Sequence, residues 1–123
     1  MITEDYVSYE TAKLLREKGF NEDSWFHYDA NKDIVTRGYR LNRPNDIPAW
    51  TLQMVMKWLR EAHNISVRPI YDEVDDGEQL CYVWFYDILQ MKPYKELAEV
   101  KQGYDSYEEA CEAAIKYCLE NLI

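Results

Sequence analysis

Residues 65–89, ISVRPIYDEVDDGEQLCYVWFYDIL, decide the fold. Leu80, Tyr82, Trp84, Tyr86 and Ile88 alternate with Cys81, Val83, Phe85 and Asp87. A period of two marks a strand, because successive side chains point to opposite faces of a sheet. Both sets are largely apolar, so this strand is expected at the centre of a sheet, covered on at least one side. Residues 65–72 form a second β-rich run. Asp76-Gly77 between the two runs is a strong hairpin signal, since tight turns need the left-handed backbone that these residues tolerate. The expected hairpin therefore pairs 65–72 with 79–89. A third strand is expected within 94–100, ended by Gly103.

Helical punctuation lies on both sides of this hairpin. Ser106-x-x-Glu109 is a capping box, and Glu108 and Glu112 add charge that suits the positive end of a helix dipole. Cys111, Ala114, Ile115, Cys118 and Leu122 make its buried stripe, and Ala110, Ala113 and Ala114 allow close approach to a neighbour. Upstream, Leu52, Val55, Met56, Leu59 and Ala62 recur at helical spacing. Either Pro48 pre-sets the first turn of that helix or Thr51 caps it, and Asn64 is its stop. Met54 and Trp58 form a second apolar row, which predicts a central helix covered on two sides. Nearer the N-terminus, Ser8 caps 9–18, where Ala12 and Leu15 share a face; Gly19 suits the left-handed residue after the helix, and Phe20 folds back on Leu15. Residues 24–28 and 34–39 pair across 29–32.

The class expected is α+β: a single domain over 1–123, with a small antiparallel sheet packed by helices in the order α-(ββ)-α-β-β-β-α. Ser8-Tyr9-Glu10-x-Ala12 echoes Ser106-Tyr107-Glu108-x-Ala110, which reads as shared capping chemistry rather than duplication.

The 123 residues carry 14 Lys+Arg against 23 Asp+Glu, a net charge of -9. Residues 1–68 are neutral, so the whole excess belongs to 69–123. Such a surface repels phosphate backbones and anionic lipid, so direct DNA, RNA or membrane binding is not expected. No stretch is long and apolar enough to span a bilayer, and MITEDYVSYE lacks the basic-then-apolar order of an export signal. A cytoplasmic location follows as the expectation, with Cys81, Cys111 and Cys118 as free thiols. Cys111 and Cys118 would lie about 10 Å apart along a helix, too far for a disulfide.

Catalytic and metal signatures are thin. The chain has no G-x-S-x-G, Walker, Rossmann, H-E-x-x-H or C-x-x-C pattern, and neither His27 nor His63 has an identifiable nucleophile or orienting partner. Against a calcium loop, Asp72, Asp76 and Gly77 match, but Val74 and Val83 stand where oxygen ligands are needed. No cofactor and no metal are expected, and a non-enzymatic protein is favoured.

Two features point to contacts. Arg37, Arg40 and Arg43 surround Tyr39 in the mildly basic segment 30–68, a pattern able to grip a phosphate or an acidic partner. The plainer account is a solvated loop that neutralises the acidic half of this chain or of a neighbouring copy. Eleven Tyr and four Trp are a large excess, and several tyrosines fall near element ends. Tyr and Trp are enriched at protein interfaces because they bury area while keeping a polar tip. The candidate interaction surface is Arg37, Tyr39, Arg40, Arg43, Tyr94 and Tyr104, for a protein partner or a homodimer.

From residue 48 onward, the helix, three strands and helix ending in Ser106-x-x-Glu-Ala110-x-x-Ala113-Ala114 resemble the double-stranded RNA-binding domain in topology. That family opens its last helix with lysines, whereas this chain has Tyr107, Glu108, Glu109 and Glu112, which repel RNA. The segments Asp5 to Phe20, Thr51 to His63 and Ser106 to Leu122 are similar to a group of small bacterial proteins encoded near prophages and conjugative elements. That resemblance implies a cytoplasmic accessory of a mobile element and brings no activity with it. The function expected is a protein-interaction module; the alternatives are an acidic mimic of nucleic acid that inhibits a DNA-binding protein, and a small hydrolase.

Overall fold

The computed structural model describes residues 2–36, 46–75 and 77–123. Its elements run α1 (Tyr9–Glu17), β1 (Phe26–Tyr28), β2 (Ile34–Thr36), β3 (Ile47–Pro48), α2 (Leu52–His63), β4 (Ile65–Asp75), β5 (Leu80–Gln90), β6 (Lys95–Tyr104) and α3 (Tyr107–Asn121). The α+β class holds, with two antiparallel sheets in place of the one expected: β2-β1-β3 and β4-β5-β6. In the first sheet β1 takes its second partner from Ile47–Pro48, His27 facing Pro48 and Tyr28 facing Ile47.

The helix ends follow the capping chemistry in the sequence. Ser8 and Ser106 have extended backbones, and their hydroxyls accept the amides of Thr11 and Glu109, satisfying donors that a helix start leaves bare. The echoed segments are thus two N-caps. Glu109 returns a bond to the amide of Asp105 at 3.1 Å, one residue earlier than the usual reciprocal partner. Thr51, not Pro48, caps α2, and Pro48 lies in β3 instead. Asn64 ends α2 in the left-handed region at φ 59°, where its short polar side chain is tolerated. Gly19, at φ +96°, turns the chain so that the Phe20 amide bonds the Leu15 carbonyl.

The core forms where the helical stripes meet β4 and β5. Leu15, Val55, Leu59, Ile88, Cys111, Ala114, Ile115, Cys118 and Leu119 are all fully buried. Trp50 sits among them at 0% exposure, edge-on to Phe20 at 4.6 Å, and its indole N–H donates to the Glu22 carbonyl at 2.8 Å. Ala62 is exposed, and of the second α2 row Trp58 packs on Phe20 while Met54 stays open to solvent, so α2 is covered less completely than its periodicity implied.

Gly103 corrects another expectation. It does not end β6, which continues to Tyr104. A Cβ at Gly103 would meet Val83 Cγ1 at 3.1 Å, so the glycine permits close approach of β6 to the Val83 side chain of its neighbour β5. Among the described residues no helix is long and apolar enough to cross a membrane.

Candidate interaction surface

The β4–β5 hairpin is longer than the helices that cover it. Eleven residues per strand span about 36 Å, whereas the 12 residues of α2 and 15 of α3 span about 18 and 22 Å. The pairing is unbroken from Ile65↔Gln90 to Asp75↔Leu80. Near the base the helices bury Val67, Tyr86 and Ile88; towards the tip they cover nothing. There Tyr71 is 56%, Leu80 57% and Tyr82 55% exposed.

Alternation places Tyr71, Glu73 and Asp75 of β4 on one face with Trp84, Tyr82 and Leu80 of β5, as the register Tyr71↔Trp84, Glu73↔Tyr82, Asp75↔Leu80 requires. Their rings form a continuous ladder. Tyr82 stacks on Tyr71 (6.0 Å, 15° between planes), Tyr71 tilts against Trp84 at 5.1 Å, and Trp84 meets Tyr107 edge-on at 5.4 Å. Tyr107 opens α3, and its hydroxyl receives a 2.8 Å bond from Gln53 of α2. Burial raises the pKa of this phenol. The ladder is therefore anchored in the body at one end and open to solvent at the other.

The opposite face of the hairpin carries Ile70, Asp72, Val74 and Phe85, which with Glu99 line a groove of about 390 Å³ that also touches Glu73, Asp75 and Tyr86 of the ladder face. At the base of that face Arg68 forks onto Asp87, Nε to Oδ1 at 2.7 Å and a terminal nitrogen to Oδ2 at 2.5 Å. This bidentate pair neutralises a buried carboxylate and raises the guanidinium pKa, chiefly through the hydrogen bond itself.

A second depression, of about 470 Å³, lies where Tyr6, Leu52, Tyr104 and Ala113 meet beneath Asp5, Glu108, Glu109 and Glu112. Glu112 Oε1 accepts the Ser8 amide at 3.0 Å and the Thr11 hydroxyl at 2.6 Å, so a carboxylate of α3 completes the cap of α1. Its primary work is structural.

The residues expected to form an interaction surface do not gather in one place. Arg37, Tyr39, Arg40 and Arg43 lie outside the described residues. Tyr94 is 72% exposed in the loop beyond the Gln90 end of the sheet, near enough to Arg68 to raise its pKa. Tyr104 is half-buried, pairs in register with Trp84 and tilts on Tyr86, about 20 Å along the strands from that loop. The residues that sequence reasoning missed are Tyr71, Leu80 and Tyr82. Their signal was present: a strand apolar on both faces that outruns every helix able to cover it.

The polar residues weighed for catalysis are placed otherwise. His27 is 0% exposed, with Nδ1 3.9 Å from Asp46 Oδ2, and presents no surface to a substrate. His63 packs edge-on against Trp58 at 4.6 Å. Among the described residues no three His, Cys, Asp or Glu side chains gather in a metal-binding group. Cys111 and Cys118 are buried free thiols with pKa values pushed up to about 11 and about 12 by burial; Cys81, on the outer hairpin face, is only partly covered.

Known proteins offer no match. No family model, curated protein or solved structure matches the chain.

Proposed function

We propose that this protein is a non-enzymatic interaction module, an accessory of the mobile-element type acting in a reducing cytoplasm, and that the projecting half of the β4–β5 hairpin is its contact surface. The observation that carries this reading is the overhang: Tyr71, Leu80 and Tyr82 are each more than half exposed on a strand pair held rigid by an unbroken ladder. Large aromatic groups left in water on a stiff support cost solvation in the free protein and gain it on docking. A ladder anchored at Tyr107 also loses little side-chain entropy on binding, the usual advantage of preorganised aromatic contacts.

The test compares proteins co-purifying from the native host with the wild-type chain, with Tyr71→Ser/Tyr82→Ser and with Trp25→Ser, an exposed aromatic outside the hairpin. A partner retained by wild type and Trp25→Ser but lost by the folded double variant supports the reading. Equal recovery by all three overturns it.

A further inference from the structure

Resting on the interaction reading, we infer that the occupant of the hairpin is a basic polypeptide segment whose arginine side chains lie over the Tyr82–Tyr71–Trp84 ladder, rather than a second copy of this chain. Residues 71–82 hold five carboxylates, Asp72, Glu73, Asp75, Asp76 and Glu78, and no lysine or arginine. Glu73 faces Tyr82 and Asp75 faces Leu80 across the ladder, so acid and exposed apolar surface share one face. Directly opposed side chains in an antiparallel pair stand about 5 Å apart, which puts a carboxylate beside a ring. A guanidinium suits both groups: it stacks flat on an aromatic face and offers a planar fork of donors to a carboxylate. An ammonium ion satisfies the charge but stacks less well.

The same features work against a second copy. Two such hairpins brought face to face juxtapose like charges with no cation between residues 71 and 82 to offset them. Below the projecting half, pairing through strand edges is also blunted. Pro69 removes an N–H from β4, and β6 pairs with β5 through two register irregularities.

The experiment is calorimetric titration of the full-length protein with nona-arginine and with nona-lysine at two salt concentrations, repeated on Tyr71→Ser/Tyr82→Ser and on Glu73→Gln/Asp75→Asn, with light scattering of each protein alone. Nona-arginine is expected to bind about fivefold more tightly than nona-lysine, and the tyrosine variant to erase that preference while still binding both. The carboxylate variant is expected to weaken both peptides and flatten the salt dependence. Equal binding of the two peptides, indifferent to the tyrosines, overturns the proposal, because charge alone then suffices. Dimerisation abolished by Tyr71→Ser/Tyr82→Ser also overturns it, making a second copy the occupant while leaving the interaction reading intact. If neither peptide binds but the tyrosine variant still loses its cellular partner, the partner's chemistry is wrong and the hairpin's role stands. If the cellular partner is retained as well, both fall.

Discussion

Tyr71 and Tyr82 are diagonal neighbours across the β4–β5 ladder, their planes 15° apart and centroids 6.0 Å apart, and each is more than half in water. Phe20 and Trp50 make a closer aromatic pair, 4.6 Å between centroids, in full burial. One pair lies in the folding core and the other is left at the surface.

Tyr71→Ser/Tyr82→Ser is therefore expected to cost at most about 1.5 kcal/mol, the value of an exposed cross-strand aromatic pair. Trp50→Ala should cost about 3–5 kcal/mol, because it opens a cavity in packed core. Urea denaturation of the two variants checks the contrast; comparable losses would mean that the overhang is part of the folding core.

Glu112 links two helices through one oxygen. Glu112→Ala takes the charged acceptor from the fully buried Thr11 hydroxyl, leaving it the Ser8 hydroxyl at 3.1 Å, and a loss of about 1.5–3 kcal/mol is expected. Glu112→Gln keeps an acceptor and should recover part of it. Thermal unfolding of both variants reads the difference.

The thiols should divide by burial. A disulfide-exchange reagent is expected to titrate Cys81 rapidly in the native protein and Cys111 and Cys118 only after denaturation. Fast reaction of all three thiols would show that α3 opens readily.

Alkaline stability follows from groups that burial keeps protonated. Tyr28 and Tyr86 are raised from 10.0 to about 12, Cys111 from 9.0 to about 11 and Cys118 from 9.0 to about 12, in each case chiefly by desolvation. In the unfolded chain these groups release protons at lower pH, so the folded state binds more protons between the two values. Their contribution is full below about pH 9 and lost as pH rises to about 12. Unfolding free energy measured over that range should fall, and Cys118→Ala should make the fall shallower.

Much of the fold was legible because its signals are local. The Ser8 and Ser106 caps, the Asn64 stop and the alternation in 80–88 each follow from a few neighbouring residues, whereas for α2 the sequence left Pro48 and Thr51 open as the start. What escaped depended on partners distant in sequence. Ile47–Pro48 is too short to show a strand pattern and exists through β1; Gly103 resembled a terminator because the nearness of Val83 cannot be seen along the chain. The candidate contact surface was half legible. The aromatic excess was plain, but sequence position near element ends drew attention to Tyr94 and Tyr104, while exposure in the fold is set by how far the hairpin outruns α2 and α3.

The most direct measurement is an amide chemical-shift map of the full-length protein titrated with nona-arginine. The hairpin account predicts the largest changes in 71–75 and 80–84, with residues 9–17 and 26–36 unmoved. Changes centred on Glu108, Glu109 and Glu112, or spread evenly over every acidic residue, would contradict it.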